Sequence, residues 1–177
     1  MENVIIFIIS TIVQSIALTY FMISMAKLIT KNNFSKKQIM LSSISMIITV
    51  IIIQIVKKYI SLINIFFIII LLMLIAHFIF KLNKSKSLFV AILISIFSAI
   101  TELIATFCFI NIFNIDAITI SNSKIKTILL LATQGILIIL SAKAISTILN
   151  KKQNIRESIL NITHKEILLF VVLIITY

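Results

Sequence analysis

Five apolar runs of about 20 residues recur along this chain, and that recurrence limits the fold more than any other feature. A helix rises about 1.5 Å per residue, so about 20 apolar residues cross a hydrocarbon layer of about 30 Å. The runs are Val4–Met25, Gln38–Val56, Ile60–Phe80, Leu88–Ile112 and Thr127–Leu149. A sixth begins at Ile167 and reaches Tyr177, too short to cross alone. The expected fold is an all-α, polytopic transmembrane helical bundle with five complete spans and a truncated sixth. The alternatives fall on composition: 61% of residues are hydrophobic and 12% charged, which leaves a water-soluble fold too little polar surface. Proline is absent and Gly135 is the one glycine, so a β-barrel would lack its usual turn residues. The whole of 1–177 reads as one membrane domain.

The first run reads as a retained helix. It carries Glu2 where a secretory signal has a basic segment, and it has no small-residue cleavage site.

A net charge of +11 raises the question of nucleic acid, but the charge lies almost wholly between the apolar runs. Loops beside anionic headgroups account for it, and no nucleic-acid partner is expected. The first connection carries Lys27, Lys31, Lys36 and Lys37, and the third carries Lys81, Lys84 and Lys86. The fifth, with its helix end, carries Lys143, Lys151, Lys152, Arg156 and Lys165. Those twelve stand against four, Lys57, Lys58, Lys124 and Lys126, in the even connections. Because cytoplasmic loops collect Lys and Arg, the expected topology is a multi-pass protein of the cell membrane with its N-terminus outside.

No catalytic constellation emerges. One glycine excludes a phosphate-binding loop, and no HExxH or comparable ligand spacing occurs, so neither metal nor cofactor is expected. Cys108 stands alone, which excludes an intrachain disulfide and a CxxC pair. A His77–Cys108 dyad fails on depth, since the two lie about 30 Å apart by helical rise. His164 sits in a loop immediately before an apolar segment and reads as a solvated residue.

Glu102 is the residue most in need of a role, because an ionisable group within a span is costly. Ser95, Ser98, Glu102 and Thr106 form a polar stripe expected to face other helices, and Thr127, Gln134 and Ser141 form a second. Counting from the outer ends places Gln14, Glu102 and Gln134 about 10–16 Å below the surface. These three are the candidate layer for ligand binding or signal coupling. A hydrogen-bonded packing network is the plainer reading of the same residues, and the two are compatible.

The stretch Phe80-Lys81-Leu82-Asn83-Lys84-Ser85-Lys86-Ser87 has a short basic loop and a Lys-Ser opening a helix. It is followed by Ala91-Ile92-Leu93-Ile94-Ser95, by Ile100-Thr101-Glu102-Leu103-Ile104, and by Phe113-Asn114-Ile115-Asp116 at the helix's outer end. Together these make most of the chain resemble the membrane sensor region of quorum-sensing receptor histidine kinases of the accessory gene regulator (GHKL) type. The resemblance implies six or seven helices, an outside N-terminus, an extracellular peptide ligand and a homodimer in the lipid bilayer. It also implies an output kinase domain, but no phosphoacceptor helix, ATP-binding motif or glycine-rich lid lies within the sequence to Tyr177. These residues are therefore not expected to be an enzyme. Two other classes fit the pattern of runs: a substrate-binding membrane subunit of a small-molecule transporter, and a structural or immunity-type membrane protein without a ligand. The transporter reading lacks the Gly- or Pro-interrupted helices that often line midplane sites.

Overall fold

A computed structural model describes residues 2–56, 63–111 and 124–151, together with 157 and 161. Its regular structure among the described residues is helical: α1 (Glu2–Thr30), α2 (Lys36–Val56), α3 (Ile63–Phe78), α4 (Lys84–Asn111) and α5 (Lys124–Lys151). Four of these, α1, α2, α4 and α5, are long and apolar enough to cross a membrane. Each extends beyond its apolar run at an end that carries lysine. Hydropathy marks the stretch that tolerates hydrocarbon, whereas the backbone ladder continues until a cap stops it.

The expectation of five complete spans plus a sixth is corrected here. The described part of the third run is a helix of 16 residues, about 24 Å long, which falls short of a bilayer core. Ile79 and Phe80 leave that helix because Lys81 turns into the left-handed region, with φ at 54°. The sixth run, 167–177, lies outside the described residues, as do the loop residue His164 and the motif at Phe113–Asp116.

Local chemistry explains the turns. Ser35 and Gln38 form a capping box: Gln38 N donates to Ser35 Oγ at 3.3 Å, and Ser35 N donates to Gln38 Oε1 at 3.0 Å. Lys31, with φ at 58°, closes α1 by donating its N–H to the Lys27 carbonyl at 2.9 Å. The α3–α4 turn converges on one carbonyl, that of Leu82. His77 Nδ1 lies 2.7 Å from it and Ser87 Oγ donates to it at 3.2 Å. Since a carbonyl only accepts, Nδ1 of His77 carries the proton. Two contacts join these turns: Gln38 Nε2 donates to the Ile79 carbonyl at 3.1 Å, and Phe34 meets Phe80 edge-on at 4.7 Å between centroids. The basic connections 31–37 and 79–86 therefore share one end of the bundle.

α1 is the hub. Its most extensive contact is with α5, and it also packs on α2 and α4, while α3 pairs chiefly with α4. Phe21, Met22, Ala17 and Ala26 of α1 are buried with Met46 and Val50 of α2, Leu72 and Ala76 of α3, Val90, Ala91 and Ile94 of α4, and Ile138 and Ala142 of α5. Small residues let the helices close in. A Cβ built on Gly135 would lie 2.9 Å from Val13 Cγ1 and 3.9 Å from Ala17 Cβ, so α5 crosses α1 where its one glycine lies. Outside this core, large apolar side chains are bare: Phe78 and Leu103 are 71% exposed and Ile125 73%. That coat suits lipid, and would be an aggregation surface in water.

Candidate functional site

Most helical hydroxyls among the described residues turn back on their own backbone, and few reach a partner helix. Ser15 Oγ donates to the Thr11 carbonyl at 2.6 Å, Ser95 Oγ to Ala91 at 2.9 Å, and Ser141 Oγ to Leu137 at 2.7 Å. The polar stripes of α4 and α5 are thus satisfied locally at these positions. A different group bridges helices, at the seam of α1 and α2. Gln54 Nε2 donates to Ser10 Oγ at 3.2 Å and stands 3.5 Å from Gln14 Oε1. Thr11 Oγ1 lies 3.3 Å from Gln54 Oε1 and 2.7 Å from the Phe7 carbonyl, and its single proton serves one of them at a time. Ser10 and Thr11 are buried, and Gln14 and Gln54 are half-buried. Sequence reasoning placed Gln14 in a layer with Glu102 and Gln134 and passed over Gln54, an amide near the end of the run Gln38–Val56.

Gln134 and Glu102 stand differently. Gln134 is 6% exposed and adjoins Gly135, whose approach to Val13 puts it level with Gln14 but on the α5 side of α1. Phe21 and Phe97 pack at 5.9 Å between centroids, which sets α4 against antiparallel α1. Stepping from that pair, Glu102 lies about 7.5 Å and Gln14 about 10.5 Å along the bundle in the same direction. By that count Glu102 and Gln14 lie within about 3 Å of one depth. The shared facing does not hold: α4 packs through Thr101, Ala105 and Phe109, and Glu102, one residue or about 100° round from Thr101, is exposed. Gln14, Glu102 and Gln134 occupy one layer and point to three sides of it.

Beside the glutamine seam runs a groove along α1 and α2 of about 380 Å³, lined by Ile12, Ser15, Ile16, Thr19, Tyr20, Ile23, Ser43 and Ile47. It opens outward, since Ile12, Ile16, Tyr20 and Ile47 are exposed. Thr19 sits at its floor, 6% exposed, with a hydroxyl that has no hydrogen-bond partner among the described residues. A buried hydroxyl left so costs about 1–3 kcal/mol, which makes Thr19 a place where a polar atom would be welcome.

His77 is engaged through Nδ1 in the α3–α4 turn, and Cys108 lies near the opposite end of α4, so the two are held apart as their spacing implied. Among the described residues no three of His, Cys, Asp and Glu gather as a metal site. No protein-family model matches the sequence, no curated protein matches it, and no solved structure matches the fold.

Proposed function

We propose that these residues form the membrane sensor region of a peptide-responsive receptor histidine kinase, a multi-pass domain with its N-terminus outside the cell membrane. Within these residues its work is reception and transmission, not catalysis. The observation that carries this reading is the α1–α2 seam, where a bridging glutamine pair adjoins an outward-opening apolar groove with an unsatisfied hydroxyl at its floor. An apolar peptide would enter from the side, between the helices, where Ile12, Ile16, Tyr20 and Ile47 leave the groove open. A side chain wedged beside Thr19 separates α1 from α2. Because α1 is also the main partner of α5, the displacement reaches the basic end of the bundle as a shift between two packings. The receptive residues on this reading are Gln14, Gln54 and Thr19, with Gln134 coupling α1 to α5.

The test places an environment-sensitive fluorophore on Ser43→Cys in a Cys108→Ser background and adds the small-peptide fraction of spent medium from the producing cells. Emission should shift, and Thr19→Val or Gln54→Leu should weaken the response by about tenfold. An unmoved emission spectrum, or identical titrations for all variants, would remove the sensing role and leave the seam as packing.

A further inference from the structure

At the basic end of the bundle, α1 and α5 line a cleft of about 580 Å³ with Ser24, Lys27, Leu28, Lys31, Ser146 and Asn150. Its volume falls in the range of small-molecule sites, about 300–1,000 Å³. Its chemistry is unlike the rest of the molecule. Ser24 and Ser146 do not turn back on their helices as Ser15, Ser95 and Ser141 do, and neither they, Asn150, Lys27 nor Lys31 has a side-chain hydrogen bond or ion pair among the described residues. Five donor-bearing side chains from two helices thus converge on one space.

The charge is unbalanced as well. Lys27 in the last turn of α1 and Lys31 just past its end bring two like charges to one cleft. The plain role of such lysines is to offset the carbonyl ends of α1 and α5, each equivalent to about half a negative charge. Two ammonium groups more than meet that need for α1, and α5 has Lys151 in its own last turn. No acidic side chain lines the cleft among the described residues, so an anion with several acceptor oxygens would match its donors.

The geometry points to a phosphate-binding site in this cleft, with Lys27 and Lys31 supplying charge and Ser24, Ser146 and Asn150 supplying oriented donors. The ligand chemistry is a phosphate oxyanion, carried by an anionic phospholipid headgroup or by free phosphate. The lipid source rests on the membrane reading above, which puts this end of the bundle at headgroup depth, where basic pockets between helices bind such headgroups. A bound anion would also hold the α1 and α5 ends together.

The full chain, extracted in mild detergent, is titrated with phosphatidylglycerol and with phosphatidylcholine by native mass spectrometry. Phosphatidylglycerol should be retained about tenfold more tightly than phosphatidylcholine. Lys27→Gln with Lys31→Gln should abolish that preference, whereas Lys36→Gln with Lys37→Gln, an equal change of charge at the same end, should leave it within twofold. Ser24→Ala with Asn150→Ala keeps both charges and should weaken binding about threefold, which covers the case of a lysine variant that fails to fold. Displacement by millimolar inorganic phosphate would assign the site to the oxyanion from either source, and resistance to displacement would assign it to the lipid. Equal loss in both lysine pairs, or no preference over phosphatidylcholine, overturns the site. A chain that leaves the membrane fraction without detergent overturns the membrane reading instead, and inorganic phosphate then tests the cleft by itself.

Discussion

Lysine occupies two backbone positions where glycine is the usual choice. With one glycine in the sequence, and that one committed to the α1–α5 crossing, α1 and α3 end on Lys31 and Lys81 in the left-handed region. A side chain there costs roughly 1–2 kcal/mol, of which glycine's greater freedom in the unfolded chain offsets part. Lys81→Gly should therefore stabilise the protein by roughly 0.5–1 kcal/mol, seen as a higher melting temperature in detergent. No change, or a loss, would mean that the Lys81 side chain makes a contact worth as much as the strain. The residue scale is also where sequence reasoning divided most sharply. The relative depth of Gln14, Glu102 and Gln134 can be counted from the sequence because rise per residue is fixed. Facing cannot be counted in the same way, because a single residue turns a helix by about 100°, and Thr101 is buried where Glu102 is exposed. Gln54 was missed for a related reason: a lone amide near a helix end reads as interfacial until its partner helix is known.

At the scale of elements, four of the spans could be read and their neighbours could not. In water the apolar stripe of a helix marks its buried side, but here lipid and protein interior are both apolar, so Phe21 in the core and Leu103 on the surface look alike in sequence. That is why the central place of α1 was invisible. Gly135 marks one such interface in the structure. Gly135→Leu would drive a branched side chain into Val13, whose Cγ1 already lies 2.9 Å from where a Cβ would sit. Overpacking of that kind costs about 1–3 kcal/mol. The half-buried thiol of Cys108 offers a readout, since it becomes reactive to a fluorogenic maleimide as the bundle opens. Gly135→Leu should lower the temperature of that transition by several degrees and Gly135→Ala by less. An unchanged transition in the leucine variant would show that α5 does not lean on α1 at this point.

For the molecule as a whole, the decisive asymmetry is between its two ends. Gln38 reaching the Ile79 carbonyl, Phe34 against Phe80, and the cleft joining Lys27 to Asn150 bring three basic segments together at one end. Lys27, Lys31, Lys36, Lys37, Lys81, Lys84, Lys86 and Lys151 thus form a single charged cap, although they come from places far apart in the sequence. Translocating such a cap across a bilayer is disfavoured, and anionic lipid on the cytoplasmic leaflet attracts it by about 1 kcal/mol per lysine near the surface. The cap should therefore face the cytoplasm. Single cysteines at Asn33, Asn83 and Asn150, each in a Cys108→Ser background, should resist an impermeant maleimide added to intact cells and react in inverted vesicles. All three must behave alike, because the fold puts them at one end. Labelling of all three in intact cells would invert the orientation while leaving the bundle as described. Protection of one with labelling of another would break the bundle itself, since no rigid arrangement of these helices places Asn33 and Asn83 on opposite sides of a membrane while Gln38 holds Ile79.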